Sequence, residues 1–344
     1  MKRSQFLALF TAPALALLPG CGKSGDSAAA PGSTAPSGGG AAKKVTVAFL
    51  PKSKGNLYFG TCEKGARVAA KELGIDFLFD GPTNTDPAKQ NEIVENWITL
   101  GVDVIAVSCE NPEGISSALK KAQTKGVKVV TYDSDSAPDA RSFFVNQATA
   151  QGIGEALMDN AAQLVGEEGE FAIIAGSLTA ANMNEWRKYI EARLAEKYPK
   201  MKLVATKPCD DQKDKAQQET TNLLGAYPNL KCVMAISSLA VPGAAEAVKQ
   251  AGKTGVVKVM GLGLPSENRA YVKEGVTQSV ILWNVEDLGY LTVQTAVALA
   301  NGTLKAGDKT LKAGRLNEVE VNGTSVLLGK PLVFTKENID QFQF

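Results

Sequence analysis

The stretch GVKVVTYDSD, at residues 126–135, decides how this chain folds. An apolar run follows Gly126 and stops abruptly at a polar cluster, which is typical of a strand buried inside a parallel sheet. Ligands of open α/β sheets bind outside the carboxyl ends of the strands, where Asp133 stands. An ionised carboxylate only accepts hydrogen bonds, so it suits a ligand rich in hydroxyl groups. Capping of the next turn by Asp133 and Asp135 is the structural alternative, and matching stretches elsewhere favour binding.

The alternation of buried strands and amphipathic helices on both sides of this stretch predicts two similar α/β units. In the first half, further strands are predicted at 45–51, 75–80, 102–108 and 143–146, with three helices between them. In the second half, strands are predicted at 170–176, 202–208, 231–237, 256–263 and 277–283, and helices at 149–165, 183–198, 213–226, 240–251, 266–274 and 285–300. Short strands at 316–321 and 325–328 and a last turn at 335–341 complete the prediction. Each half therefore reads as a doubly wound parallel sheet.

Two similar lobes joined by several chain crossings form a cleft between them. Crossings are expected near 146–149, near 283–286 and in the Gly-rich stretch 302–330. Exported proteins of this kind close around a ligand by hinge motion. The expected N-terminal lobe comprises residues 43–147 plus 284–312, and the C-terminal lobe comprises residues 148–283 plus 313–344.

Composition excludes several classes of function. The chain has 344 residues, with 37 Lys plus Arg against 36 Asp plus Glu, so no strong field favours nucleic acid or an anionic membrane. It has no histidine, which removes most hydrolase triads and zinc sites. The sequence GLGLP after Met260 lacks the third glycine of a dinucleotide fingerprint, so NAD is rejected. No nucleophile–base pair is evident. We therefore predict no catalytic residues, no metal and no cofactor.

The N-terminal residues predict export and a lipid anchor. Two basic residues precede the apolar run Phe6–Leu18, which leads to Cys21, as in a secretory signal peptide ending in a lipobox. Residues 22–42 are rich in Gly, Ser, Ala and Pro and read as a flexible tether. We expect residues 1–21 to be the signal, Cys21 to be lipidated, and the lipid to be the sole membrane contact on the periplasmic side of a bacterial membrane. Ordinary cleavage with an incidental Cys21 is the alternative.

Four cysteines remain after Cys21. Cys209 and Cys232 fall near the end and the start of two predicted strands, so they could pair if those strands are neighbours. A domain of this size does not depend on disulfides, and buried free thiols are favoured for Cys62, Cys109, Cys209 and Cys232.

Polar and aromatic residues after the predicted strands form the candidate binding site. Amide and ammonium groups bind sugar hydroxyls, and aromatic rings cover the apolar C–H face of a sugar. The structural alternatives are stapling of the first helix by its aromatic residues, helix capping by Asn182, Ser237 and Ser238, and packing of the tryptophans in the core or hinge. The candidates are Lys52, Asn56, Tyr58, Phe59, Asp133, Asn182, Met183, Asn184, Trp186, Ser237, Ser238, Trp283 and Asn284.

Several motifs together make the chain resemble the sugar-binding proteins of ABC transporters, and within them the rhamnose-type and autoinducer-2-type receptors. The motifs are the lipobox, FLPK (49–52), DGPTNTD (80–86), VVTYDSD (129–135), FVNQ (144–147), NMNEW (182–186), ILWN (281–284) and FTKENIDQF (334–342). The resemblance covers nearly all of residues 44–344. It implies the type I periplasmic binding protein fold, with two Rossmann-like lobes and a three-segment hinge. The implied partners are an ABC permease and its ATPase, and a monomer is expected.

The resemblance also implies roles for particular residues. Lys52 and Asp133 match the family's ligand-binding Lys and Asp. Autoinducer-2 receptors carry Asp and Gln where this chain has Asn182 and Met183. Since Met183 cannot replace the Gln amide, a pentose or deoxyhexose such as ribose, xylose or rhamnose is favoured over autoinducer-2.

The remaining candidates match less specific positions of the family. Trp186, Trp283 and Asn284 match residues that line the family's cleft, and the candidates at 56–59 match the first loop of ribose-type binders. Ile236 and Ser238 stand where autoinducer-2 receptors use backbone groups of a Pro and an Ala. An autoinducer-2 receptor, an anchored chemoreceptor or sensor without transport, and an enzyme on the same scaffold remain as alternatives.

Overall fold

The computed structural model describes residues 44–344, and strands and helices alternate there as the sequence predicts. The predicted signal peptide, the tether and Cys21 lie outside the described residues. The strands are β1 (Thr46–Leu50), β2 (Asp76–Phe79), β3 (Val104–Val107), β4 (Lys128–Tyr132), β5 (Phe143–Asn146), β6 (Gly169–Ala175), β7 (Met201–Pro208), β8 (Leu230–Ala235), β9 (Lys258–Leu262), β10 (Thr277–Leu282), β11 (Thr310–Lys312), β12 (Glu318–Asn322), β13 (Ser325–Leu327) and β14 (Leu332–Phe334). The helices are α1 (Leu57–Leu73), α2 (Pro87–Leu100), α3 (Pro112–Thr124), α4 (Ala150–Val165), α5 (Ala181–Lys197), α6 (Lys213–Ala226), α7 (Ala240–Gln250), α8 (Pro265–Lys273) and α9 (Val285–Ala300).

The first sheet has the order β11-β12-β13-β5-β4-β3-β1-β2. The strands from β5 to β2 are parallel to one another, and β13 extends them in parallel beside β5. Both faces of this sheet are covered: Val47 and Phe49 point into the core that α1 and α9 share, whereas Ala48 and Leu50 point into the core under α2 and α3. Burial on both faces explains why the central strands β1, β3 and β4 are nearly continuous apolar runs rather than alternating ones.

The second sheet has the order β14-β10-β9-β8-β6-β7, in which every pair is parallel except the antiparallel pair of β14 and β10. The predicted α/β fold with two parallel-sheet lobes is therefore confirmed. The order places β6 between β7 and β8, so the strands that carry Cys209 and Cys232 are not neighbours. Both cysteines, and also Cys62 and Cys109, are buried free thiols.

The chain passes between the two sheets at three places in the described range. These crossings follow β5 at residues 147–149, follow β10 at residues 283–284, and follow β13 at residues 328–331. The first two lie where the sequence predicts them, and the third lies at the end of the predicted Gly-rich stretch.

One part of the predicted lobe assignment is wrong. Residues 313–344 were assigned to the C-terminal lobe, yet β12 and β13 belong to the first sheet. The reason is a pairing that local sequence does not encode: β13 adds to the open edge of β5, with Val326 opposite Val145. Only the end of this segment, from β14 onward, joins the second sheet.

Helices α1 and α9 cross at very short range, which fixes the start of α9 directly after the second crossing. A Cβ atom on Gly65 would lie 1.7 Å from the carbonyl oxygen of Glu286, and one on Gly289 would lie 1.8 Å from that of Cys62. Only glycine permits so close an approach of two helix backbones. Between residues 44 and 344, no helix has both the length and the apolar character of a membrane span.

Candidate functional site

The carboxyl ends of several strands of both sheets border one cavity, which is open to solvent and has about 410 Å³ of empty space. Eleven of the thirteen predicted site residues line it. The complete lining consists of Lys52, Asn56, Tyr58, Phe59, Asp133, Asn182, Met183, Trp186, Asp211, Ile236, Ser237, Ser238, Leu262, Leu282 and Trp283.

Asp133 follows the last residue of β4 and is held by two hydroxyl groups of the first lobe. Ser108 Oγ donates to Asp133 Oδ2 at 2.6 Å, and the Tyr58 hydroxyl donates to Oδ1 at 3.1 Å. The side chain is 5% exposed, and the backbone adopts a left-handed φ of 60°. Since each carboxylate oxygen can accept two hydrogen bonds, one position on each oxygen stays free for a ligand.

Because Asp133 is buried, additional hydrogen bonds to its free acceptor positions are energetically favourable. Burial raises the pKa of Asp133, while the Lys52 ammonium and the hydrogen bonds from Ser108 and Tyr58 oppose that rise. A buried carboxylate that lacks donors is costly, and each hydroxyl that a ligand donates offsets part of this cost.

Two polar pairs join the lobes on either side of the cavity. Lys52 Nζ donates to Asn182 Oδ1 at 3.3 Å, and Asn56 Nδ2 donates to Ser238 Oγ at 3.0 Å. Lys52 is 2% exposed and lines the cavity, and its ammonium group has two N–H donors besides the one that Asn182 accepts. Asn56 also caps α1, because its side-chain oxygen accepts a hydrogen bond from the amide of Tyr58 at 2.9 Å.

Aromatic rings form one wall of the cavity. The rings of Tyr58 and Phe59 lie 5.1 Å apart in a perpendicular arrangement, and Trp283 lies 6.2 Å from Tyr58 on one side and 6.2 Å from Trp186 on the other. Trp283 Nε1 donates to the Tyr58 hydroxyl at 3.0 Å. Such a wall is suited to the apolar face of a ring that carries hydroxyls at its edge.

The second lobe contributes a carboxylate that the sequence analysis missed. Asp211 follows β7 with a φ of 50°, and its Oδ1 accepts a hydrogen bond of 2.5 Å from Ser237 Oγ. A signal was present in the sequence: two consecutive aspartates, Asp210 and Asp211, directly follow the predicted strand 202–208. The apolar residues Leu262 and Leu282 were missed too, since nothing distinguishes them from ordinary core residues at a strand end.

Glu110 is a further buried acid beside this site. It is 3% exposed, and its Oε2 has no hydrogen-bond partner among residues 44–344. Burial raises the pKa of Glu110, whereas the charge of Lys52 lowers it. Glu110 does not line the cavity itself, and the sequence analysis did not select it.

Two predicted site residues lie outside the cavity. Asn184 donates from Nδ2 to the carbonyl oxygen of Leu178 at 2.9 Å and so stabilises its own loop. Asn284 caps α9 by accepting from the amide of Asp287 at 3.1 Å, and it lines a separate groove behind the crossings. These hydrogen bonds of the two asparagines are therefore made to their own loop or to the start of the next helix.

Asp135 has a structural role as well. It accepts two hydrogen bonds from Arg141, at 2.9 and 2.6 Å, and one from Thr131 Oγ1 at 2.5 Å. Within residues 44–344, no group of three or more His, Cys, Asp or Glu side chains is arranged to hold a metal ion.

Comparison with known proteins identifies the family. Residues 47–304 match the periplasmic binding protein domain, and the chain belongs to this family. The chain is 30% identical over 257 residues to the D-allose-binding periplasmic protein of Escherichia coli, an alignment that covers 70% of this chain and 80% of that protein.

Solved structures agree with the fold and include receptors for different ligands. An ABC transporter solute binding protein from Clostridium phytofermentas with bound L-rhamnose is 29% identical, with a TM-score of 0.82 over 88% of this chain and 99% of that one. LsrB from Clostridium saccharobutylicum in complex with AI-2 is 26% identical, with a TM-score of 0.83 over 87% of this chain and all of that one (100%).

Proposed function

We propose that this chain captures a monosaccharide in the cavity between its lobes and delivers it to an ABC permease that works with its ATPase. The observation that carries the proposal is Asp133, a buried carboxylate with one free acceptor position on each oxygen. Lys52 supplies donors on the same side, and the wall formed by Tyr58 and Trp283 offers an aromatic surface. This is the donor, acceptor and stacking set that a polyhydroxylated ring requires.

We further propose a pentose or a 6-deoxyhexose as the ligand. Asn182 Oδ1 is already engaged by Lys52 Nζ and by the amide of Met183, so the NH₂ group of Asn182 is what it can offer a ligand. Met183 Sδ accepts from the amide of Gly176 at 3.2 Å, which leaves the methyl end as an apolar surface. An apolar, adaptable wall suits a ring C–H or the methyl group of a deoxy sugar.

An autoinducer-2 receptor is the second candidate, favoured by the structural likeness to the AI-2 complex. One double substitution tests whether Asn182 and Met183 determine the choice between the two ligand classes. Asn182→Asp with Met183→Gln introduces a carboxylate and an amide, so it should shift preference from the sugar toward AI-2. Calorimetry with both ligands measures the shift, and an unchanged or sugar-directed preference contradicts the proposed role of these residues.

The cellular setting follows from the same proposal. The protein would act on the periplasmic side of a bacterial membrane as a monomer, held there by lipid on Cys21 through the tether 22–42. A sensor without transport would use the same cleft. Genes for a permease and an ATPase beside this one would favour the importer.

Calorimetric titration against L-rhamnose, D-ribose, D-xylose, D-allose and AI-2 tests the function. We expect saturable one-site binding of a pentose or deoxyhexose, tighter than that of AI-2. Release of AI-2 from the purified protein, with no sugar bound, would replace the monosaccharide proposal with the second candidate. Absence of binding by the whole panel would contradict the proposed function.

A further inference from the structure

Asp133 is connected to two of the three chain crossings by hydrogen bonds. Its Oδ1 accepts from the Tyr58 hydroxyl, which in turn accepts from Nε1 of Trp283 in the second crossing. Its backbone oxygen accepts from Nε2 of Gln147 in the first crossing, at 3.1 Å. The third contact, from Ser108, comes from the end of β3 within the first lobe and reaches no crossing.

Every member of this path is buried. Tyr58 is 6% exposed, Trp283 is 3% exposed and Gln147 is 1% exposed. Hydrogen bonds in such a setting are strong and costly to lose, because water does not readily replace the missing partner. A conformational change at either crossing therefore alters the hydrogen bonding of Asp133.

The contacts also determine what Tyr58 can do for a ligand. A phenol has a single O–H donor, and Tyr58 directs it at Asp133. Trp283 Nε1, the one donor of an indole, is directed at Tyr58. The N–H and O–H donors of both side chains are thus engaged, and neither side chain has a donor left for a sugar.

Hinge closure changes the backbone angles of a few crossing residues. Trp283 lies in the second crossing. The hydrogen bond from its Nε1 to the Tyr58 hydroxyl therefore depends on the conformation of that crossing. When the crossing changes conformation, the Tyr58 hydroxyl loses the hydrogen bond that Trp283 donates to it. The hydrogen bond from Tyr58 that orients the Asp133 carboxylate is then weakened. Binding of ligand hydroxyls to Asp133 and closure at the crossing then stabilise each other, because the coupling between two equilibria is reciprocal.

We infer that Tyr58 is a positioning residue that couples ligand capture at Asp133 to closure at the Trp283 crossing. The inference rests on the proposed function and adds a mechanism to it. It assigns Tyr58 a role in addition to the aromatic surface that its ring offers a sugar, and it makes Ser108 a matched control. Ser108 donates to the same carboxylate without a link to a crossing.

Two double-mutant cycles in ligand affinity test the coupling. The probe is the sugar of the panel that the wild type binds most tightly. Tyr58→Phe and Trp283→Phe should each weaken binding by about tenfold, and the double variant by little more than one of them, because both remove the same path. In the second cycle, Ser108→Ala and Trp283→Phe should act independently, so the double variant should show the product of the two single losses of affinity. Losses that multiply in the Tyr58–Trp283 cycle would overturn the inference and leave Tyr58 as a direct contact.

Small-angle X-ray scattering supplies a second readout that a purely local role would not change. At saturating sugar, Tyr58→Phe and Trp283→Phe should show a smaller decrease in the radius of gyration than Ser108→Ala, which should close as the wild type does. If Tyr58→Phe does not fold, the decrease in the radius of gyration is compared between Trp283→Phe and Ser108→Ala alone. Equal closure of all variants overturns the coupling. Failure of the wild type to bind any sugar instead removes the proposed function, and this inference with it.

Discussion

Asp133 combines burial, a strained backbone and a negative charge in one residue. A non-glycine residue with a φ of 60° is uncommon, and such residues cluster at functional sites where the surroundings hold them in place. Here Gln147 holds the backbone oxygen while Ser108 and Tyr58 hold the carboxylate. The arrangement presents an anion with unused acceptor positions to the cavity, and its protonation should therefore control binding.

Sugar affinity should fall as the pH decreases. Burial raises the pKa of Asp133, so the carboxyl takes up a proton at a higher pH than an ordinary aspartate, which titrates at about 3.9. The protonated form loses acceptor capacity, so calorimetry between about pH 7 and about pH 4 should show affinity lost as the pH drops through the raised pKa.

The stability of the ligand-free protein should respond in the opposite sense. An acid with a raised folded-state pKa destabilises the fold above that pKa, and this effect diminishes as the pH falls toward the unfolded value.

Asp133→Asn separates this titration from that of Glu110, whose pKa burial also raises. The variant should bind more weakly at neutral pH and should lose the acidic decline. A wild-type affinity that stays constant over the range, or an Asn variant with the same decline, would assign the control of binding to another group.

Individual site residues were predictable where the sequence shows a strand end followed by polar side chains. Lys52 and Asp133 stand at such ends, and the structure brings them to one cavity. Asp211 was missed because its loop was read only as a connection, although its left-handed backbone turns the carboxylate into the site. Asn284 lies outside the cavity and caps α9, a role that an asparagine at a strand end can also take and that only the fold reveals.

At the scale of elements, the contact of α1 with α9 sets the geometry of the second crossing, because α9 begins directly after it. Gly65→Ala should destabilise the protein by about 1–3 kcal/mol, since the added methyl group would meet the backbone of Glu286. Gly60→Ala is the matched control on the same helix: a Cβ there has nothing within 4 Å, so it should stabilise by up to about 1 kcal/mol. Urea denaturation of both variants measures the difference. Equal effects of the two substitutions would contradict the close approach.

Long parallel strands and helices were predicted well because their signals are local. Continuous apolar runs end in turn residues, and helix ends carry caps such as Asn56 and the left-handed Gly74. The three-residue strands β11 and β14 were missed, although β13, which has the same length, was predicted. The membership of β12 and β13 in the first sheet depends on the open edge of β5, which is a property of the assembled sheet.

At the scale of the whole molecule, three crossings and two polar bridges define how the lobes meet. The bridges from Lys52 to Asn182 and from Asn56 to Ser238 lie at the cavity, so we expect ligand binding and lobe closure to involve the same residues. A ligand shifts such an equilibrium only by the difference in its affinity for the two states. Donors and acceptors contributed by both lobes provide that difference.

Anchoring is the prediction that concerns the N-terminal part of the chain. Cys21→Ala should release the protein from membranes into the soluble envelope fraction, because the lipid is the only expected membrane attachment. Membrane fractionation measures the release, and mass spectrometry of the wild type should show a lipid on Cys21. A variant that stays with membranes, together with an unmodified wild-type cysteine, would favour ordinary signal-peptide cleavage.

Calorimetric titration of Asp133→Ala beside the wild type, with the tightest-binding sugar of the panel, tests the central claim that the ligand is held at this carboxylate. Loss of charge-assisted hydrogen bonds of about 1.5–3 kcal/mol each should weaken binding by at least about tenfold. The melting temperature of the ligand-free variant should change little, because the gain from removing a charge that is buried at a cost is offset by the loss of the hydrogen bonds from Ser108 and Tyr58. An Asp133→Ala variant that binds the sugar with wild-type affinity would show that Asp133 serves only its own turn and that the ligand binds elsewhere.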